Sequence, residues 1–277
     1  MGAKNNKVLL AVMVLLTMFV ACPLAFGEDA SPGGNAPGSG EQKWQVEITP
    51  YFWAASLAGD VTIKGLDTHI NESFTDIAKY IDSGGMLHLE ARKGNWGFFA
   101  DGMYLKLSDS GSSSGQLGFL SGDATIEEWI VELGGFYRIG RWSLGDSKET
   151  RLSLDALGGA RYWWVKGSLD FSAPNLAIFT DNSKSKEWVD PFIGLRAQAN
   201  LTRNLSFHLR GDIGGFGVGS DFSWNAYGLF GYTFTPSISA YLGYRALAVN
   251  YESGSGSSKF KYDVTMYGPV MGMGFRF

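Results

Sequence analysis

The sequence predicts an all-β fold: a closed antiparallel transmembrane β-barrel of about 10 strands, with 12 or 8 strands as alternatives. Three observations lead to it. From Trp44 to Phe277, segments in which apolar residues alternate with small or charged ones follow one another, which is the period-two pattern of strands. The apolar faces run for roughly ten residues with aromatic side chains near their ends, as lipid-facing barrel strands do. The chain has 38 glycines and is only 18% charged.

The beginning of the chain indicates a signal peptide over residues 1–27. Lys4 and Lys7 precede an uncharged apolar run, and Ala25–Gly27 supplies small residues at the cleavage positions. The run has about 14 residues, fewer than the roughly 20 that a transmembrane helix needs. Lipoprotein processing at Cys22 is the alternative, but the string FVAC resembles a lipobox only loosely. We therefore expect Sec-type export and a location in the outer membrane of a Gram-negative cell.

The remaining chain is expected to comprise a flexible linker, 28–43, and the barrel, 44–277. The linker is rich in Gly, Pro and Ser. After cleavage no cysteine is left, which excludes disulfides, a thiol nucleophile and a thiolate metal site. The 21 basic and 27 acidic residues that remain do not suggest a nucleic-acid partner. Nothing indicates a cofactor, and three histidines are too few to favour a multi-histidine metal site.

Turn residues divide the barrel region into ten expected strands. In EWVDPFIGLRAQANL, for example, Val189 and Ile193 fall on one face and Asp190 on the other. The segment 58–83 holds one strand-like piece and a short helix expected near 74–81. Counting it as a crossing would give an odd strand number, so we expect an outside hairpin or a segment folded into the mouth. The expected strands are 44–57, 84–93, 96–108, 123–139, 151–170, 187–201, 205–218, 222–235, 238–252 and 259–277.

The links between these strands agree with a barrel that has both ends on the periplasmic side, short turns on that side and long loops on the other. The short links all fall at one end: 93–95, 202–204 and 235–237. The long links all fall at the other: 109–122, 171–186 and 253–258. This agreement favours the ten-strand interpretation.

Alternation also assigns the charged residues that point into the barrel. Eight are acidic: Glu47, Glu90, Asp101, Glu128, Glu132, Asp155, Asp190 and Asp212. Seven are basic, and all are arginine: Arg92, Arg138, Arg161, Arg196, Arg210, Arg245 and Arg276. Arginine pairs bidentately with carboxylates in poorly hydrated places. The interior of a barrel of about eight strands is already filled by side chains. We therefore expect the inward charges to form a structural ion-pair network that largely plugs the lumen. A narrow polar pathway for small solutes is the alternative.

The last strand carries apolar residues at every second position: Tyr267, Pro269, Met271, Met273, Phe275 and Phe277. Four segments resemble a group of largely uncharacterised outer-membrane β-barrel proteins of Gram-negative bacteria: ITPYFWAASLAGDVTIKG, SFTDIAKYIDSGGMLHLEARKGNWGFFADGMYLKLS, WVDPFIGLRA and MYGPVMGMGFRF. The resemblance covers nearly all of the expected mature chain. It implies the fold and location, and it implies that Tyr267, Met271, Met273, Phe275 and Phe277 form the signal that the barrel assembly machinery recognises. It implies no substrate, activity or functional residue.

Three classes of function remain. The first is a non-enzymatic closed barrel with a structural or surface-interaction role. Its expected partners are outer-membrane lipid, the assembly machinery during biogenesis, and an undefined surface ligand or solute. The second is a narrow channel. The third is a membrane-embedded enzyme, for which Ser206, His208 and Asp212 share one inward face. These side chains lie next to one another along a single strand, so a hydrogen-bonded interior histidine is the favoured interpretation.

Overall fold

The structure, a computed structural model, describes residues 43–63, 66–115, 118–143, 150–173 and 178–277. The expected signal peptide, 1–27, and residues 28–42 of the expected linker lie outside the described residues. The elements are β1 Gln45–Trp53, β2 Ser56–Ile63, β3 Leu66–Glu72, α1 Phe74–Ile77, β4 Ile81–Lys93, β5 Trp96–Gly115, β6 Gly118–Ser143, β7 Arg151–Ala173, β8 Ile178–Asn200, β9 Leu205–Gly214, β10 Phe222–Thr235, β11 Ile238–Ser253 and β12 Phe260–Arg276.

Ten of these strands form a closed antiparallel barrel. Strands β4 to β12 pair in sequence order, and β1 closes the ring between β12 and β4. The remaining strands, β2 and β3, form a hairpin that pairs with the first half of β12. The expected ten-strand barrel is therefore confirmed. The segment 58–83 adds the hairpin and a helix rather than another crossing.

The expected first strand, 44–57, is divided into β1 and β2. At the division, the backbone N–H of Ala54 donates to the carbonyl oxygen of Pro269 at 2.9 Å. The neighbouring Gly268 permits this approach, because a Cβ atom there would lie 2.0 Å from the carbonyl oxygen of Ala54. A glycine on β12 thus lets the first strand bend without losing contact with the last.

The helix α1 is shorter than the expected 74–81. It begins after Ser73, whose hydroxyl donates to the Asp76 carboxylate at 2.6 Å, and Ala78 is its C-cap residue. The chain then returns to the sheet, where the N–H of Ser108 donates to the carbonyl oxygen of Tyr80 at 2.8 Å. The return to sheet pairing ends the helix four residues earlier than the sequence predicts.

Strands β5 to β8 are much longer than expected. Strand β6 has 26 residues, whereas a membrane-spanning strand needs only about 9–11. The expected links 109–122 and 171–186 are mostly strand, since 108–115 pairs with 118–125, and 165–173 pairs with 178–186. Their Ser- and Gly-rich composition favours loops locally, but the pairing begun in the barrel continues through them.

Strand β9 is shorter than the expected 205–218 and ends at Gly214. The following residues turn sharply, with positive φ angles of 87° at Gly215, 53° at Phe216 and 72° at Gly217. Two of these are glycines, which adopt this region without steric cost. The loop then returns to the barrel at Ser220, whose backbone N–H donates to the Asp190 carboxylate at 2.7 Å.

The outer surface of the barrel is apolar and is bounded by aromatic pairs. On β5 and β6, Trp96 contacts Tyr137 with ring centres 4.7 Å apart, and Tyr104 contacts Trp129 at 4.5 Å. The eight residue steps between Trp96 and Tyr104 span about 26 Å along the strand, or roughly 20 Å along the membrane normal for a strand tilted by about 40°, which is comparable with a lipid-facing band of roughly 25 Å. No helix in the described part of the chain is long and apolar enough to cross a membrane. Exposed side chains on this surface include Phe98, Leu133, Ile193, Leu195, Leu209, Ile213 and Leu242.

Candidate functional site in the charged lumen

The centre of the lumen is organised around Glu132 on β6. Its Oε1 atom accepts hydrogen bonds from Nε of Arg161 at 2.9 Å and from Nη2 of Arg245 at 3.3 Å. Its Oε2 atom accepts from Nη2 of Arg210 at 2.9 Å. The three arginines come from β7, β9 and β11, and Glu132 and Arg161 have no exposed side-chain surface. One carboxylate therefore joins four different strands.

Asp212 completes the other side of this cluster. Its two oxygens accept hydrogen bonds from Nη2 of Arg161 at 2.7 Å and from Nε of Arg210 at 2.8 Å. The amide of Asn225 donates to Asp212 at 3.0 Å, and the oxygen of the same amide accepts from Nε of Arg245 at 3.0 Å. We call Glu132, Arg161, Arg210, Asp212 and Arg245 the central cluster.

The Asp101 carboxylate extends the central cluster towards β1 and β4. It lies 3.4 Å from Nη1 of Arg245 and accepts a hydrogen bond from the Tyr51 hydroxyl at 2.8 Å. Nδ1 of His88 lies 3.1 Å from its other oxygen. Tyr51 also accepts from Arg245 at 3.1 Å. These contacts bring three further strands, β1, β4 and β5, into the same hydrogen-bonded network.

Aromatic rings cover the guanidinium groups. Arg161 lies 5.1 Å and Arg210 5.4 Å from the ring centre of Phe192, while Arg210 also lies 5.0 Å from that of Phe99. On another side Arg245 lies 5.1 Å from the Trp53 ring. Such cation–π contacts strengthen when the partners are shielded from water. The arginines are therefore held by both carboxylates and rings.

A second group of ion pairs lies among β4, β6, β7 and β8. Asp155 accepts hydrogen bonds from Nε of Arg138 at 2.7 Å and from Nη2 of Arg196 at 2.9 Å. Arg196 also forms an ion pair with Glu90 across the lumen. Its guanidinium lies 4.3 Å from the ring centre of Phe136. This group, like the central cluster, links strands that are not neighbours in the sheet.

Charged residues nearer the chain ends are more exposed. Arg276 donates to Glu47 at 2.8 Å, and the Tyr241 hydroxyl donates to the same carboxylate at 2.8 Å. Arg92 donates to the side-chain oxygen of Gln45 at 3.0 Å. The Arg276 side chain is 45% exposed and that of Glu47 is 22% exposed, which distinguishes this rim pair from the buried groups.

Two inward carboxylates have hydroxyl partners rather than arginine. Glu128 accepts a hydrogen bond from the Tyr262 hydroxyl at 3.0 Å. Asp190, fully buried, accepts from the Ser220 backbone N–H and from its hydroxyl at 2.8 Å. The structure thus brings twelve of the fifteen expected lumen residues into ion pairs, and leaves Glu128, Asp190 and Arg92 outside them. Among the described residues, no group of three or more His, Cys, Asp or Glu side chains could hold a metal ion.

A cavity of about 160 Å³ opens between the rim pair and the Asp101 carboxylate. Its lining carries charges of both signs, including Glu90, Arg92 and Arg196, together with Tyr227. A cavity of this size has room for several water molecules or one small polar solute.

Ser206, His208 and Asp212 do not assemble as a catalytic triad. The Ser206 hydroxyl and Nε2 of His208 lie 2.9 Å apart. Asp212, however, is bound by Arg161 and Arg210, and no hydrogen bond from His208 to Asp212 occurs in the described structure. Consecutive inward positions on a strand point side by side, which explains why alternation alone grouped these residues.

The expected assembly stripe lies on the outward face of the last strand. Met271 is 53% and Phe277 73% exposed, and the backbone N–H of Phe277 donates to the carbonyl oxygen of Val46 at 2.9 Å. Tyr267, Met273 and Phe275 share that face, since they alternate with Gly268, Gly272, Gly274 and Arg276 on the lumen side. Recognition of this stripe by the assembly machinery stays a prediction.

Sequence reasoning missed several uncharged or weakly charged members of the network. Tyr51, His88 and Asn225 bind members of the central cluster or Asp101 directly, and Tyr241 binds Glu47. Their signal was present, since each occupies an inward position by the same alternation that assigned the charged residues. They were not predicted, because only charged residues were assigned to the lumen.

Comparisons with known proteins add the following. No protein-family model and no curated protein matches the chain. Among solved structures, the translocator domain of autotransporter NalP from Neisseria meningitidis is 12% identical, with 84% of this chain and 88% of that chain covered and a TM-score of 0.42. The attachment invasion locus protein Ail of Yersinia pestis is 17% identical, with 86% and 99% covered and a TM-score of 0.33. Identities and TM-scores this low do not indicate a function.

The class of protein follows from the molecule's own geometry. A closed antiparallel sheet satisfies its backbone hydrogen bonds within the wall, which is one of the two ways in which a chain can span a bilayer. An apolar outside with aromatic girdles and a polar inside are features of outer-membrane barrels. The chain therefore has the architecture of the outer-membrane β-barrels of Gram-negative bacteria.

Proposed function

We propose that the protein is an integral outer-membrane barrel whose lumen is largely closed to solutes and whose role is structural or based on surface interactions. The observation that carries this proposal is the central cluster. Glu132 and Asp212 bind Arg161, Arg210 and Arg245 in the middle of the barrel, and all five are less than 10% exposed. Side chains that bind one another across the interior occupy the space that a pore would need.

The dimensions of the barrel support closure. The interior of a barrel of about eight strands is just filled by side chains, whereas open porins have about sixteen strands. With ten strands, the central cluster and the rings of Phe99, Phe192 and Trp53 take up the extra space. Beyond the cluster, Trp163, Trp188 and Tyr251 stack, with ring centres 5.7 and 4.0 Å apart. A charged layer followed by an apolar one opposes ion passage.

The proposed location is the outer membrane of a Gram-negative cell, reached after Sec-type export and assisted by the barrel assembly machinery. The apolar outer band, with exposed Phe98, Leu133 and Leu242, supports contact with outer-membrane lipid. The protein should fractionate with outer membranes and migrate faster on SDS gels before boiling than after it, because a closed barrel resists detergent. Recovery in the soluble periplasmic fraction would contradict the location.

Single-channel recording in a planar lipid bilayer tests the closed lumen. The unmodified protein should conduct little. Arg210→Ala should raise the conductance, because it leaves the Glu132 and Asp212 carboxylates short of a partner and makes space that water can enter. The matched control is Arg276→Ala, which removes an arginine from the exposed rim and should leave the conductance unchanged.

A large, stable conductance of the unmodified protein that Arg210→Ala does not alter would sink the proposal and favour the second candidate, a narrow channel. The 160 Å³ cavity favours that candidate, because Arg92 on its wall is bound by the neutral Gln45 side chain rather than by a carboxylate. In a channel, Arg92→Ala should then change the ion selectivity of the measured current.

We propose no enzymatic activity. The separation of His208 from Asp212 supports this, since a histidine that acts as a general base needs an orienting partner. Ser206 and His208 remain a hydrogen-bonded pair at the barrel wall. Hydrolysis of acyl esters by the purified protein that Ser206→Ala abolishes would contradict it.

A further inference from the structure

The barrel wall is incompletely paired at one place. Strand β1 pairs with β4 only from Gln45, opposite Arg92, to Pro50, opposite Leu87. Further along, β1 pairs with β12 alone, and 81–86 of β4 pairs with β5 alone, among the residues that the structure describes. We call the interval between 51–53 and 81–86 the lateral gap.

The lateral gap lies at the margin of the lipid-facing band. Gly85 on β4 pairs with Tyr104 on β5, and Tyr104 belongs to the aromatic pair with Trp129. Aromatic girdles mark the level at which the hydrocarbon region meets the headgroups. The gap therefore begins, at Met86, on the hydrocarbon side of this level and extends past it.

An apolar pocket of about 60 Å³ occupies the lateral gap. Phe52 and Trp53 both line it, although consecutive strand residues point to opposite faces of a sheet. Phe52 is 41% exposed on the outer surface, whereas Trp53 is 3% exposed inside. Two neighbours of opposite orientation can reach one pocket only where the wall has an open side. The pocket thus passes from the outer surface to the barrel interior.

The interior end of the pocket is formed by Met103, Ile130 and Met266. The outer end is bounded by α1, whose Phe74 ring lies 5.6 Å from that of Phe52 and whose Ile77 lines the pocket. The single charged residue of the lining is Glu128, and it is bound by the Tyr262 hydroxyl. What remains is hydrocarbon and thioether, and flexible methionines adapt to apolar ligands of different shape.

We infer that this pocket is a binding site for a hydrocarbon chain, and that the occupant is an acyl chain of an outer-membrane lipid entering sideways through the lateral gap. The position of the gap beside the girdle places its outer end where acyl chains begin. The apolar lining excludes water and headgroups but matches methylene groups. The inference assumes the proposed insertion into a bilayer and is independent of whether the lumen conducts.

Photolabelling of the unmodified protein tests the inference. The protein is reconstituted in phospholipid that carries a diazirine near the end of one acyl chain, irradiated, and mapped by mass spectrometry. Adducts on the outward Leu133 verify insertion. Adducts on the inward Met103, Ile130 or Met266 are the expected result, while the inward Leu157 and Phe192, which lie in a separate buried cluster, should stay unlabelled.

Two variants fill the pocket from opposite sides, Ala55→Phe from the wall and Ile77→Phe from α1. Each should lower labelling of Met103 several-fold and leave labelling of Leu133 unchanged. Labelling confined to outward residues in the unmodified protein would overturn the inference. A photoactivatable long-chain alcohol forms a separate arm: if it labels Met103 when the phospholipid does not, the pocket binds free amphiphiles and the assignment to membrane lipid is wrong.

Discussion

Glu132 and Glu47 perform the same task in two very different regions of the lumen. Each is an inward glutamate bound by arginine at 2.8 to 3.3 Å. The Glu132 side chain has no exposed surface and binds three arginines from three strands, whereas Glu47, 22% exposed, binds one arginine on the neighbouring strand β12. A buried charge that loses its partner cannot be hydrated instead. The loss of a partner should therefore lower the free energy of unfolding far more in the centre than at the rim.

Glu132→Ala should lower the free energy of unfolding the most. The substitution leaves Arg161, Arg210 and Arg245 facing one another without their shared carboxylate, and an unpaired buried charge costs about 3–5 kcal/mol. The free energy of unfolding, measured by urea denaturation in lipid, should fall by that amount. Glu47→Ala is the matched control and should lose much less. Equal losses of unfolding free energy in the two variants would show that burial does not determine the cost of losing a partner.

An intermediate effect should follow from Arg196→Ala. This side chain is 12% exposed and joins Glu90 to Asp155, but Asp155 keeps Arg138 as a partner. The expected destabilisation lies between those of the two glutamate variants. Arg196→Lys should restore only part of it, because one ammonium group cannot reproduce the planar fork that reaches both carboxylates. Full restoration by lysine would show that charge alone matters at this position.

The smallest effect should follow from Arg276→Ala. Its side chain is 45% exposed, and exposed pairs of this kind contribute about 0–1 kcal/mol. The small loss in unfolding free energy should disappear at about 1 M salt, where the Debye length is about 3 Å. The loss caused by Glu132→Ala should persist at that salt concentration. If the loss caused by Arg276→Ala persisted at high salt, the rim pair would not differ from the buried cluster as expected.

Alternation was sufficient to predict the barrel and its ten strands. It could not predict which charges meet. Arg196 and Glu90 lie on β8 and β4, 106 residues apart, and their contact depends on strand tilt and barrel diameter, which no local pattern contains. The same limit explains Glu128 and Asp190, whose partners Tyr262 and Ser220 carry no charge.

Local composition was misleading for the lengths of β5 to β8. Ser, Gly and Asp dominate the expected link 109–122, and these residues favour turns when nothing else constrains them. In the structure, each residue from Ser108 to Gly115 has a partner on β6. Once two strands leave the barrel in register, every further pair adds backbone hydrogen bonds and shortens the loop that joins the strands, so it adds no loop-closure cost.

The long strands also have a consequence for contacts between molecules. Within the described residues, β8 pairs with β9 only from Phe192 onward, and Gly219 of the following loop lies against the Val189 carbonyl group, so that 178–188 forms the free edge of a sheet that continues beyond the barrel. A free edge offers unpaired backbone groups to any other extended chain, and proteins protect such edges with charged side chains, especially lysine. Lys184, Lys186 and Glu187 occupy this edge, and their charges oppose edge-to-edge aggregation between barrels in a crowded membrane.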